Sequence, residues 1–177
     1  MAIDPDTKPN SLDALHFLVS AKFRFRRLTE AQLLAEFLAK ACPNPPLATM
    51  GITEILMNAI EHGNLGIGFE EKSKLQSENR WLEEIDRRLE LPEHINQTVE
   101  LEFTKTNTHI QIKVTDQGKG FDWRQFEDKD PKKALCTHGR GITIAKDLVF
   151  QKLEYSEKGN EITCTIALEE PSKGVRS

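Results

Sequence analysis

The chain is predicted to fold as an α+β domain, because its patterning runs strand, helix, helix, hairpin, helix, hairpin. Residues 98–104 and 109–115 alternate apolar and polar side chains across a polar turn, the period of a half-buried antiparallel pair. Residues 152–155 and 161–168 read as a second hairpin, closed around Gly159 and Asn160. Before and between the hairpins, apolar residues fall at helical spacing and are bounded by proline and glycine.

The first ten residues hold Pro5 and Pro9 among polar side chains and read as a loosely attached leader. Residues 15–25 are rich in apolar and aromatic residues and read as the first strand, with a helical start near Ser11 as the alternative. Lys22, Arg24, Arg26 and Arg27 give it a solvated basic face, or else a partner-docking edge. Thr29 and Glu30 can cap a helix that reaches Cys42 and carries Leu33, Leu34, Phe37 and Leu38. Pro43, Pro45 and Pro46 break it. A second helix spans 47–62 and stops at Gly63, with Asn64 and Gly66 at its exit. Residues 69–92 form a charged helical insertion in which Trp81, Ile85 and Leu89 make one apolar stripe. Packing of that stripe on the domain body is the preferred reading, and a partner-binding helix the other. Residues 121–138 carry few aliphatics and read as a loop or lid, 141–150 as a helix, and the tail from Pro171 as frayed. One domain therefore occupies residues 11–170.

Composition narrows the function. A formal charge of -4 argues against bulk nucleic-acid binding, which needs a basic surface. No apolar run approaches the roughly 20 residues that span a bilayer, and the N-terminus lacks a secretory pattern, so the cytoplasm is the expected location. Cys42, Cys136 and Cys164 are widely spaced and odd in number, which favours reduced thiols over a disulfide or metal site. Cys136, in the loop, is the candidate for reactivity.

Three short segments carry chemistry. The first is EILMNAIEHG, residues 54–63. Glu54 and Asn58 lie four apart, on one face of a helix. The Asn58 oxygen could be the sole protein ligand of a magnesium ion that takes its other ligands from phosphate and water. Glu54 is then free to act as a general base on a hydroxyl or water; for this segment in isolation a solvated Glu54 and a locally hydrogen-bonded Asn58 are the alternative. Glu61, three residues on from Asn58, is expected to face solvent, with a place near the face of Asn58 as the alternative. His62 is expected to satisfy carbonyls at the helix end, with a phosphate or metal contact as the alternative.

The second segment is DQGKGFDW, residues 116–123. Asp116 ends an alternating strand and can accept a hydrogen bond from an exocyclic amine, of the kind adenine carries, with a plain β-turn begun by Asp as the alternative. Gly118 and Gly120 let the backbone approach a nucleotide closely, and Phe121 is expected to pack beneath the loop. The third segment is HGRGI, residues 138–142. Gly139 and Gly141 precede a helix whose free N–H groups favour phosphate oxygens, and Arg140 can add a charged contact or face solvent.

Taken together, the segments resemble the N box, G1 box and G2 box of the GHKL ATPase superfamily over residues 28–168. The likeness is greatest to the anti-sigma-factor serine/threonine kinases of bacteria, and the wording of the second and third segments is also similar to ATPase modules attached to response regulators or phosphatases. The resemblance implies a two-layer α/β sandwich of the GHKL (Bergerat) type, with helices on one face of a mixed, mostly antiparallel sheet. It implies ATP and Mg²⁺ as cofactors, Glu54 as catalytic base, Asn58 as metal ligand and Asp116 as reader of adenine. It adds His62, Gly118, Gly120, Gly139, Arg140 and Gly141 as nucleotide contacts. Asn160 stands where the family often has threonine, and Thr163 is the candidate for that late contact.

A sensor histidine kinase would carry its phosphoacceptor histidine on a long helix before this domain, whereas His16 falls in the predicted first strand. The related kinases phosphorylate a small antagonist protein, hold a sigma factor and are often dimers. A nucleotide-gated binding module without phosphoryl transfer is the alternative function.

Overall fold

The computed structural model describes Leu15, residues 17–122 and residues 149–168. Strand β1 (Ser20–Phe25) is followed by helices α1 (Leu28–Ala39) and α2 (Pro45–Asn58). Helix α2 runs directly into a π-helical turn, Ala59–Asn64. Helices α3 (Phe69–Ser77) and α4 (Trp81–Leu89) come next, then strands β2 (Val99–Lys105), β3 (His109–Thr115), β4 (Lys152–Tyr155) and β5 (Glu161–Ala167). The five strands form one sheet in the order β1-β2-β3-β5-β4. Among the described residues all four pairings are antiparallel, in keeping with the mostly antiparallel sheet expected. Among the described residues no helix is long and apolar enough to cross a membrane.

The period of two along the strands separates the layers. Val99, Leu101, Phe103, Ile110, Ile112, Val114, Ile162, Cys164 and Ile166 are buried in the same core as helix residues Leu38, Ile52 and Leu56. The opposite face is polar. Lys22 lies across from Glu102 and Arg24 across from Glu100 in the register of β1 on β2. Ion pairs follow at 3.2 Å for Lys22–Glu102 and 2.7 Å for Arg24–Glu100. The basic stripe of the first strand is thus a solvated face matched by acids on its neighbour, an arrangement of small energetic weight.

Several boundaries differ from the sequence expectation. The first strand begins at Ser20 rather than Leu15, whose carbonyl accepts the Leu18 N–H instead. Helix α1 starts beyond Arg27, and the Glu30 carboxylate accepts the N–H groups of Arg26 and Arg27, so Thr29 is not the cap. Its buried face is Ala31, Ala35, Leu38 and Ala39, whereas Leu33 is 66% exposed. The helix packs through three alanines, which permit close approach, together with Leu38, while Leu33 and Phe37 are left outside. Asn44 caps α2 by accepting from the Leu47 N–H, with Pro45 in its first turn where no N–H is needed. Residues 69–92 form two helices, broken at Asn79 with φ 56°. Ile85 and Leu89 pack into the core as expected, and Trp81 lies against it. His16, Cys136 and residues 123–148 lie outside the described residues, as does the frayed tail expected from Pro171.

Candidate functional site

The site forms where the C-terminal end of α2 meets the turn after β3. In the π-helical turn the Leu65 N–H reaches the Ile60 carbonyl at 2.9 Å, five residues back. This widened turn carries the chain past Gly63, the expected stop, and sets Asn64 against the neighbouring loop. The Asn64 side-chain oxygen accepts the Gln117 N–H at 2.7 Å.

Gly63 and Gly118 meet at that seam. A Cβ on Gly63 would lie 2.4 Å from Asp116 Cγ, and one on Gly118 would lie 2.2 Å from the Gly63 carbonyl oxygen. Neither position can carry a side chain without parting the two loops. Gly120 has φ +75°, in the left-handed region, and passes close to the Lys158 carbonyl. From the other side, Asn160 exchanges hydrogen bonds with the Asp116 backbone. Its Nδ2 donates to the Asp116 carbonyl and its own carbonyl accepts the Asp116 N–H, both at 2.9 Å.

Between these elements lies a cavity of about 370 Å³. Ile55, Ile67, Val114 and Ile162 give it apolar walls, and Asn58, His62, Asp116 and Gly120 supply backbone and polar groups. One Asp116 oxygen accepts the Gly118 N–H at 2.8 Å. Burial nevertheless raises its pKa to about 6, with that hydrogen bond and the Lys158 charge acting the other way. A half-buried carboxylate with acceptor capacity left, set in an apolar cleft, fits an amine-bearing base such as adenine.

His62 Nδ1 donates to the Ile67 carbonyl at 2.5 Å, which satisfies a carbonyl beyond the helix end rather than within it. Its ring lies on Phe69, with centroids 4.2 Å apart. Burial is the main cause that lowers its pKa, so the imidazole is neutral near pH 7 and its second nitrogen is an acceptor.

Asn58 lines the cavity and donates its amide to Glu54 at 3.4 Å, a long contact that leaves the amide oxygen for a cation. Among the described residues no three His, Cys, Asp or Glu side chains cluster as metal ligands. A magnesium ion held at Asn58 would by its ordinary preference take other ligands from phosphate and water.

The structure thus brings Asn58, His62, Asp116 and Gly120 to one cavity. Glu54 sits behind Asn58 and does not line it, and Gly118 sits behind Asp116 against Gly63. Thr163 alternates with the buried Ile162 and Cys164, which puts it on the opposite face of β5 from the core. Phe121 is 42% exposed and meets the Tyr155 ring edge-on rather than packing beneath its loop. Gly139, Arg140 and Gly141 lie outside the described residues.

Sequence reasoning missed Asn64 and Asn160 as clamps, and it turned Glu61 the wrong way. Glu61 is 0% exposed and pairs with Lys72 at 2.6 Å. The signals were a place within the first motif for Glu61, a place just after it for Asn64, and for Asn160 the position where the resembling family often has threonine.

No curated protein matches the chain. Residues 26–166 match the model of the histidine kinase-like ATPase domain, a span that holds the seam, the cavity and strands β2 to β5 but for the last residue of β5, while β1 precedes it. With most of its length matched and its open antiparallel sheet covered by helices on one face, the chain belongs to the histidine kinase-like ATPase domain family of the GHKL superfamily, whose domains bind ATP, typically with Mg²⁺.

Proposed function

We propose that this protein is a Mg-ATP-binding regulatory serine/threonine kinase of the anti-sigma-factor type, which phosphorylates a small antagonist protein and alternates between that protein and a sigma factor. The observation that supports this best is the half-buried Asp116 carboxylate in an apolar cavity that Asn58 also lines. Asp116 reads the adenine amine, and the Asn58 oxygen holds the metal. When bound, magnesium neutralises phosphate charge. Glu54, one turn before Asn58, accepts the proton of the substrate hydroxyl as its oxygen bonds to the γ-phosphorus. The bond to the bridging oxygen breaks and ADP leaves. Such transfer relies on positioning and electrostatics. Gly139, Arg140 and Gly141 are proposed to meet the phosphates.

One observation favours a second reading. Glu54 is engaged with Asn58 and stands behind the cavity wall, which suits a nucleotide-gated protein-binding module without transfer. Calorimetry with ATP, ADP and GTP, with and without Mg²⁺, followed by labelled-ATP assays on candidate antagonist proteins, separates the two. Adenine-selective, magnesium-dependent binding with label on a serine or threonine is the expected result. Binding without transfer leaves the gated module, and no binding removes both.

A further inference from the structure

The helical insertion grips the π-helical turn at two points. Arg88 of α4 donates to the Leu65 carbonyl at 3.0 Å, just past the turn. Lys72 of α3 reaches inward to Glu61, whose carboxylate is completely buried, and its ammonium lies 2.6 Å from Oε2. No other described donor reaches either Glu61 oxygen, so among the described residues Lys72 is the group that balances this buried charge. The same ammonium lies 5.8 Å from the centre of the Trp81 ring. A buried carboxylate deprived of its cation is strongly destabilised where it stands, and the turn that carries it must shift or admit water.

Glu61 lies in the π-helical turn that forms one side of the seam. Its carbonyl accepts the Ile67 N–H at 2.8 Å, and Ile67 is a cavity wall. Asn58 precedes it by three residues. Gly63 and Asn64, two and three residues on, are the groups pressed against Asp116 and Gln117.

We propose that Lys72 is a positioning residue of the nucleotide site, acting from the insertion through Glu61 to hold the π-helical turn against the loop of Asp116. The proposal rests on the nucleotide-binding reading above, and it gives the insertion a part in that site besides its core packing. Nucleotide affinity then depends on a side chain that does not line the cavity.

The test uses the full chain and Lys72→Met, Lys72→Arg and the double variant Lys72→Met/Glu61→Gln. Amide shifts are recorded by nuclear magnetic resonance without nucleotide, and ATP affinity by calorimetry. Lys72→Met is expected to move the Gln117 and Gly118 amides, which donate to Asn64 and Asp116, and to weaken ATP binding by about ten- to a hundredfold. Lys72→Arg, which keeps the charge, and the double variant, which removes the orphaned carboxylate, are expected to return both readouts toward the parent. If Lys72→Met does not fold, the Arg and double variants carry the same readouts, and displaced amides in both overturn the proposal. Unmoved amides in folded Lys72→Met also overturn it, even where its melting temperature falls. Should the parent chain bind no ATP, the kinase reading fails by itself, and the amide shifts still decide the role of Lys72.

Discussion

Asp116 titrates near 6 because burial opposes its charge more than the Gly118 N–H and Lys158 favour it. Its pKa is raised above the unfolded value of 3.8, so the folded state binds more protons between these values. Its contribution to stability is therefore fully present below pH 3.8 and is lost as pH rises through about 6. Asp116→Asn is expected to raise the melting temperature relative to the parent more at pH 8 than at pH 4, in scans at both values. The same substitution should weaken ATP binding by roughly 1–3 kcal/mol, through loss of a buried acceptor. ATP affinity of the parent should also fall as pH drops below about 6. Calorimetry from pH 5 to 8 reads both, and a flat profile would remove Asp116 from the adenine role. Glu54→Ala is expected to leave ATP bound while slowing transfer by roughly 10²–10⁴-fold. Transfer at the parent rate would mean that another group takes the proton.

At the scale of elements, the site depends on two backbones in contact. The π-helical turn and the loop after β3 approach so closely that a methyl group on Gly63 would overlap Asp116. Gly63→Ala should cost about 1–3 kcal/mol in urea unfolding, in the range of overpacked positions, and lower ATP affinity as well. Normal stability with normal affinity would show that the seam has slack. The motif Glu54-to-Gly63 was legible because helical spacing puts Glu54 and Asn58 on one face, and Asp116 because a strand ends there. Continuation of the helix through Asn64 was not legible. Glycine after histidine reads as a stop, and only the facing loop explains why the turn widens instead. The inward turn of Glu61 was hidden for a similar reason, since its cation comes from the next helix.

Across the whole molecule, stability lies in the interface between sheet and helices, and the polar face adds little. Phe103→Ala, at a fully buried position on β2, is expected to cost about 3–5 kcal/mol. Lys22→Ala, on the ion-paired open face, should leave the urea midpoint close to that of the parent. Similar midpoints for both variants would mean that the core lies elsewhere. The first strand with the two helices after it, both hairpins and the packed stripe Ile85–Leu89 followed from periodicity, because burial of one face imposes its period on the chain, while the helix expected at 141–150 falls almost wholly outside the described residues. Asn58, His62, Asp116 and Gly120 were named from their segments for the same local reason. Tertiary structure alone decided which side chains reach the cavity and which stand behind it, as Glu54 and Gly118 do, and which face of β5 takes Thr163 away from the core. Those outcomes depend on which backbones touch and which charges are sealed from water, and both are set by contacts between residues far apart in the chain.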